Sequence, residues 1–208
     1  MNPDSADIYL YFNFRSPYCY LASKTMWRIF DEYRTNLIWR PLGGWDGRSP
    51  PDVAVKKLPI ARQDMARFAR RLGIPVNPPP KTTDPTLAGA GSLLAEEKGL
   101  LRPYIVEVMR KEWAEGQDIG VLDVILDVGS EIGLDREALA EAAQDPVRQA
   151  VLTHTGRRLR RRGLLGYPHS FVKMRYSGGR IASILSSNTC GRGDCPVYEQ
   201  GGQTLRQT

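Results

Sequence analysis

From residue 7 the chain alternates, with Ile8, Leu10, Phe12 and Phe14 on one face of an extended segment and Tyr9 and Tyr11 on the other. Residues 7–14 therefore read as a strand. The period then changes. Beyond Ser16-Pro17 the apolar residues Tyr20, Leu21, Met26, Trp27, Ile29 and Phe30 recur at helical spacing. Pro17 suits the first turn of that helix, where a missing amide removes no bond. Residues 36–41, NLIWRP, read as a second strand that ends at Pro41. Strand, helix and strand joined by a crossover imply a parallel pair, and so an α/β core.

The middle of the chain changes character. Between 60 and 150 the periodicity is helical: Met65, Phe68, Ala69 and Leu72 share one face, and Gly73 with Pro75 stops that segment. Asp84-Pro85 and Asp145-Pro146 each set a capping carboxylate just before a proline, as at a helix start. Between them lie helical segments around 86–98, 101–115 and 120–143, broken at Gly99, Gly116 and Gly133. The simplest organisation is an α/β domain of residues 1–45 and 160–190 interrupted by an all-helical insertion over 46–159, with 191–208 an atypical or disordered tail.

With 208 residues, 41% hydrophobic and 25% charged, the chain is long enough to bury a substantial core. No window approaches the apolar length of a membrane span, and the opening MNPDSAD has no basic-then-apolar leader, so a cytoplasmic protein without membrane association is expected. The net charge of +6 is unevenly spread: residues 1–156 carry a net −2 and residues 157–208 a net +8. Arg157, Arg158, Arg160, Arg161 and Arg162 supply most of the second figure. One arginine block without interleaved aromatics fits a solvated helix face better than a nucleic-acid surface. Cys19 lies far in sequence from Cys190 and Cys195, so no disulfide framework is expected, and the spacing of the latter two does not match a zinc site.

Chemistry concentrates at Ser16-Pro17-Tyr18-Cys19. Ser16 stands where a helix begins, so its hydroxyl and the neighbouring amides of the first turn suit an anion such as a thiolate. It is also a favoured capping residue, which is the purely structural role open to it. Cys19, lacking a partner at 16, reads as a small buried hydrophobe. Trp39, Trp45 and Trp113 read as core or pocket wall, and His169 as an incidental loop histidine. Later in the chain, Gly163-Leu-Leu-Gly-Tyr167-Pro168 resembles a proline loop ahead of a short strand. A cis Tyr167–Pro168 bond there would expose the Tyr167 backbone for pairing with a peptide-like ligand.

The stretches FRSPYCYLA (14–22), WRPLGG (39–44), SPPDVAVKKLPIARQDMARFARRLGIP (49–75), EEKGLLRPYIVEVMRKEWAEGQDI (96–119), GLDREAL (133–139) and GLLGYP (163–168) together resemble 2-hydroxychromene-2-carboxylate isomerases. More distantly the chain is similar to kappa-class glutathione transferases, all within the thioredoxin-like superfamily. The resemblance implies a thioredoxin-like fold with a helical insertion, glutathione as cofactor, a small aromatic substrate and a homodimer. It implies that Ser16 holds the glutathione thiolate and that Tyr167, before Pro168, pairs with the tripeptide backbone. Arg48, Ser49 and Lys56 would border the substrate, with Lys56 or Arg40 offsetting charge on its pyruvate side. The implied reaction converts 2-hydroxychromene-2-carboxylate to trans-o-hydroxybenzylidenepyruvate by thiolate addition to the ring-opened form, bond rotation and elimination, without a metal.

Departure from that family begins near residue 153. In place of an acidic helix and a later W-G-x-D-R turn, the chain reads THTGRRLRRRG and then KMRYSGGRIASILSSNTCGRGDC. Codons that spell Asn-Trp-Glu-Glu-Ala-Gln-Ala-Lys, begun one base later, spell residues 155–162. This motivates the hypothesis that the tail is partly read out of frame; a gene whose neighbouring frames lack the family pattern would refute it. Three functions thus stand: the isomerase, a kappa-like transferase, and a remnant impaired by its altered end. A thiol-disulfide oxidoreductase is disfavoured, because Ser16 replaces the attacking sulfur.

Overall fold

The computed structural model describes residues 6–44, 51–161, 172–175 and 181–184, with backbone alone at 51–58, 160, 172–175 and 181–184. Strand β1 (Ala6–Asn13) runs parallel to β2 (Thr35–Leu42), with Leu10 opposite Trp39 and Phe12 opposite Pro41. β3 (Val172–Arg175) pairs antiparallel with β1 through Leu10 and Val172, and β4 (Ile181–Ile184) pairs antiparallel with β3. The resulting order is β2-β1-β3-β4. The parallel pair expected from the sequence is therefore present. β2 lies at the edge of the sheet, which tolerates Pro41 inside the strand, so β2 continues to Leu42.

Between β1 and β2 the expected single helix is divided into α1 (Pro17–Thr25) and α2 (Trp27–Glu32). The Ser23 hydroxyl donates to the Tyr20 carbonyl at 2.7 Å, and the Trp27 indole N–H donates to the Ser23 carbonyl at 2.9 Å. Side chains thus compete for helix carbonyls, and the chain resumes with a tighter bond from the Ile29 amide to the Met26 carbonyl at 3.1 Å.

Everything described between 51 and 161 is helical or connecting. α3 (Pro51–Leu72) starts earlier than the sequence pattern indicates and passes through the exposed Pro59. α4 (Thr86–Glu97), α5 (Leu101–Met109), α6 (Leu122–Ile132), α7 (Arg136–Gln144) and α8 (Pro146–Arg161) follow, and a π-helical turn (Arg110–Ala114) extends α5. The expected segment 120–143 is two helices, because Gly133 takes φ +82° and closes α6 with a left-handed residue. Both Asp-Pro starts are as read: Asp84 Oδ1 accepts from the Thr86 amide at 2.8 Å, and Asp145 Oδ1 accepts from the Val147 amide at 2.8 Å.

One core joins sheet and insertion. Phe12, Phe14, Trp39 and Tyr104 are fully buried, with Phe14 edge-on to Tyr104 at 6.0 Å between ring centroids. Burying an aromatic side chain of this size stabilises by roughly 2–3 kcal/mol, so the cluster fastens the C-terminal end of β1 to α5. The Trp39 indole donates to Ser92 Oγ at 2.9 Å, and the Tyr104 hydroxyl donates to the Ala88 carbonyl at 3.0 Å. A smaller cluster of Tyr11, Leu42 and Leu159 covers the opposite face of the sheet.

Candidate functional site

Phe12 of β1 and Phe14 just after it are buried on the insertion side, which fixes where the strand ends and the chain turns into α1. The turn closes by a bond from the Ser16 amide to the Asn13 carbonyl at 3.0 Å. Asn13 Oδ1 accepts from the Arg15 amide at 2.9 Å. Ser16 is the N-cap of α1, with extended backbone at φ −86° and ψ 124°, and its Oγ accepts from the Cys19 amide at 3.4 Å. Pro17 occupies the first helical position and the first turn contains no acidic residue. The positive end of the helix dipole is therefore not offset by a carboxylate of its own turn. Ser16 is half-buried and Cys19 is buried. The capping role open to Ser16 is thus present, at the N-terminal end of α1.

Two insertion segments flank this turn. The Arg15 guanidinium donates through Nε to the Thr83 carbonyl at 2.7 Å and through Nη2 to the carbonyls of Lys81 and Pro80. On the other side, the Trp113 indole donates to the Phe14 carbonyl at 3.3 Å. Beside Trp113, Glu112 is completely buried, and neither carboxyl oxygen makes a hydrogen bond of ordinary geometry among the described residues. Burial pushes its carboxyl well above the usual glutamate range. Arg15 and the nearby Trp113 indole oppose that rise, and Asp118 adds to it. On α1, burial raises the Tyr18 phenol, and Asp64 of α3 raises it further by its charge and a hydrogen bond.

Of the residues singled out from the sequence, Ser16 falls at the start of α1 as expected, whereas Lys56 lies on α3 where only backbone is described. Arg48, Ser49, Tyr167 and Pro168 lie outside the described residues, as do Trp45, His169, Cys190 and Cys195. Arg40 donates to the Trp39 carbonyl at 2.6 Å and lies over the Tyr9 ring at 5.6 Å, so its guanidinium is engaged on the sheet. Trp39 is core, and Trp113 both fills core and abuts the Ser16 turn. Among the described residues no group of His, Cys, Asp and Glu fits a metal ion, and no helix is long and apolar enough to cross a membrane.

Sequence reasoning passed over Arg15, Thr83 and Glu112. Glu112 had a detectable signal, since it continues the buried helical line of Leu101, Ile105 and Val108. Arg15 had none beyond its place next to Ser16, because its partners are main-chain carbonyls more than sixty residues away.

A strand entering a Ser-Pro-x-Cys helix start, with a mixed sheet and a helical insertion, defines the thioredoxin-like class of α/β proteins. Within that class, residues 7–184 match the DSBA-like thioredoxin domain, and the chain belongs to that family. It is similar to the 2-hydroxychromene-2-carboxylate isomerase of Sphingobium xenophagum, 24% identical over 170 residues, which are 78% of this chain and 86% of that protein. A solved structure of a 2-hydroxychromene-2-carboxylate isomerase superposes with a TM-score of 0.69 at 20% identity, covering 85% of this chain and 87% of that one. The cytosolic disulfide reductase DsbM from Pseudomonas aeruginosa, solved with GSH, superposes with a TM-score of 0.64 at 21% identity, covering 86% of this chain and 89% of that one.

Proposed function

We propose that this protein is a glutathione-dependent isomerase of the 2-hydroxychromene-2-carboxylate isomerase type, acting in the cytoplasm on a small conjugated aromatic acid. The observation that carries the reading is Ser16 at the N-cap of α1, its hydroxyl over the first turn of a helix that has no acidic residue there. A hydroxyl and main-chain amides at a helix start suit an anionic sulfur, so the residues present fit the thiol of glutathione. Ser16 in place of a cysteine favours holding an external thiol over exchanging a disulfide, and the similarity to a named isomerase supports the same choice.

Bound there, glutathione supplies a nucleophile that adds reversibly to a conjugated double bond and permits rotation about it. The protein's task is to keep that sulfur ionised near neutral pH. Ser16 does so by hydrogen bonding and the α1 amides by their dipoles. Tyr167 and Pro168 would pair with the tripeptide backbone, and Arg48, Ser49 and Lys56 would border the substrate.

Titration of the full chain with glutathione, followed by a spectral assay with 2-hydroxychromene-2-carboxylate, tests the reading. Saturable binding and glutathione-dependent formation of the benzylidenepyruvate are expected, and Ser16→Ala should lower kcat by about a hundredfold. Turnover of a chlorinated aromatic electrophile in place of the chromene would assign a kappa-like transferase instead. Absence of glutathione binding would leave a remnant with an altered C-terminal end.

A further inference from the structure

The segment joining α3 to α4 has neither helix nor strand of its own, and it is tied to the chain on both sides of Ser16. The Tyr20 hydroxyl, one turn into α1, donates to the Pro75 carbonyl at 2.9 Å. Arg15, immediately before Ser16, donates to the carbonyls of Thr83 at 2.7 Å, Pro80 at 3.5 Å and Lys81. The π-helical turn adds a further tie near the first. The Asn77 amide donates to the Trp113 carbonyl at 2.7 Å, and its side chain donates to the Glu115 carbonyl at 3.1 Å.

Between Asn77 and Thr83 little else holds the segment. Pro78, Pro79 and Pro80 have no amide to donate, and within the segment the Thr83 amide donates to the Pro80 carbonyl at 3.2 Å. Pro80, Lys81 and Thr82 are exposed, whereas Thr83 is buried and Asp84 accepts from the Thr86 amide at the start of α4. Among the described residues, every hydrogen bond from the body of the protein to residues 78–82 comes from Arg15. A guanidinium suits that position, because its fixed fork of donors serves several carbonyls at once and a charged donor makes the stronger bond.

We propose that residues 75–83 are a strap over the Ser16 turn and that Arg15 is its latch. With the latch made, the strap and the first turn of α1 enclose the site; with it broken, residues 78–82 swing outward between fixed points at Asn77 and Thr83. Arg15 is thus a positioning residue that acts on the site through the strap. The inference deepens the function proposed above and rests on it for the ligand alone: glutathione enters with the strap open and is held with it closed.

Trypsin reads the latch directly. It cleaves after Lys81, whose carbonyl must leave Arg15 to enter the protease oxyanion hole, so cut at Lys81–Thr82 counts open straps. Arg148–Gln149, inside α8 and paired with Glu97, is the reference bond that needs wider unfolding. In the full-length protein, Arg15→Met should speed cleavage at Lys81–Thr82 by about tenfold and leave Arg148–Gln149 unchanged, with Arg15→Lys, which keeps the charge but not the fork, smaller in effect. In the wild type, cleavage at Lys81–Thr82 should change little in urea that accelerates Arg148–Gln149, because opening a strap exposes little surface. Glutathione at about ten times its dissociation constant should slow cleavage at Lys81–Thr82 by about tenfold, with the protease itself checked on a small chromogenic peptide.

Equal acceleration of both bonds in Arg15→Met, or a parallel urea dependence in the wild type, means global unfolding and overturns the strap. Unchanged cleavage in both Arg15 variants overturns the latch. Glutathione that binds by titration yet leaves cleavage at Lys81–Thr82 unchanged overturns closure over the ligand. Absence of glutathione binding refutes the function reading instead, and the variant and urea measurements then decide the latch by themselves.

Discussion

Ser16 and Cys19 occupy the positions at which a Cys-Pro-x-Cys pair would be set at a helix start, and under the proposed function the atom at position 16 decides what the site does. An oxygen at position 16 can hold a sulfur but cannot exchange it. Ser16→Cys is therefore expected to form a bridge with Cys19 and to reduce insulin above the wild-type background, measurable as insulin turbidity. Glu112 gives a second prediction at this scale. Its folded pKa lies well above the unfolded value of 4.5, so the native state holds the proton more tightly than the unfolded one. Its contribution is fully present below 4.5 and is lost as pH rises through the folded value. Urea midpoints across that window should fall with pH in the wild type and fall less in Glu112→Gln. The line of buried positions at 101, 105 and 108 already pointed inward at 112. The carboxylate at the end of it was passed over because charge is rarely buried without a partner.

At the scale of elements, the helices agree with their sequence patterns where capping is local and differ where tertiary contacts compete. Asp84, Asp145 and Gly133 act on their own neighbours, and each start or stop is where the residues put it. The division at Met26 depends on the Trp27 indole taking a carbonyl that the helix would otherwise use, which depends on how Trp27 packs. Packing between α4, α5 and α7 is close enough to test. A Cβ added at Gly91 would approach the Tyr104 hydroxyl at 2.6 Å and Leu139 Cδ1 at 3.0 Å, and both partners are fully buried. Gly91→Ala should therefore destabilise by about 1–3 kcal/mol despite the better helix propensity of alanine, as read from a urea midpoint.

Across the whole molecule, α8 joins the end of the insertion to the sheet. Leu152 is buried against the backbone of Gly43, beyond β2, and of Gly89, in α4, where an added Cβ would meet it at 2.6 and 3.0 Å. Arg148 of the same helix forms a two-pronged ion pair with Glu97, at 2.9 and 2.8 Å, on a surface where water screens it. The two contacts should differ sharply in thermal unfolding: Leu152→Ala should cost about 2–5 kcal/mol and Glu97→Gln less than about 1 kcal/mol. The arginine block begins on this helix with Arg157, Arg158 and Arg161 exposed, while Leu159 between them packs with Tyr11 and Leu42. That is the solvated face expected from the charge pattern.

The sequence alone determined the strand before Ser16, the parallel neighbour, the helical character of the insertion and the Ser-Pro-x-Cys helix start. Each of these follows from periodicity or capping within about a dozen residues. Tertiary structure decided the rest of the site: Arg15 anchored on carbonyls of residues 80–83, and Trp113 reaching Phe14. Those contacts link segments 65 to 99 residues apart and use main-chain oxygens that every residue carries. No local pattern encodes such a pairing, because the partner is chosen by where the folded backbone passes rather than by the side chain it bears.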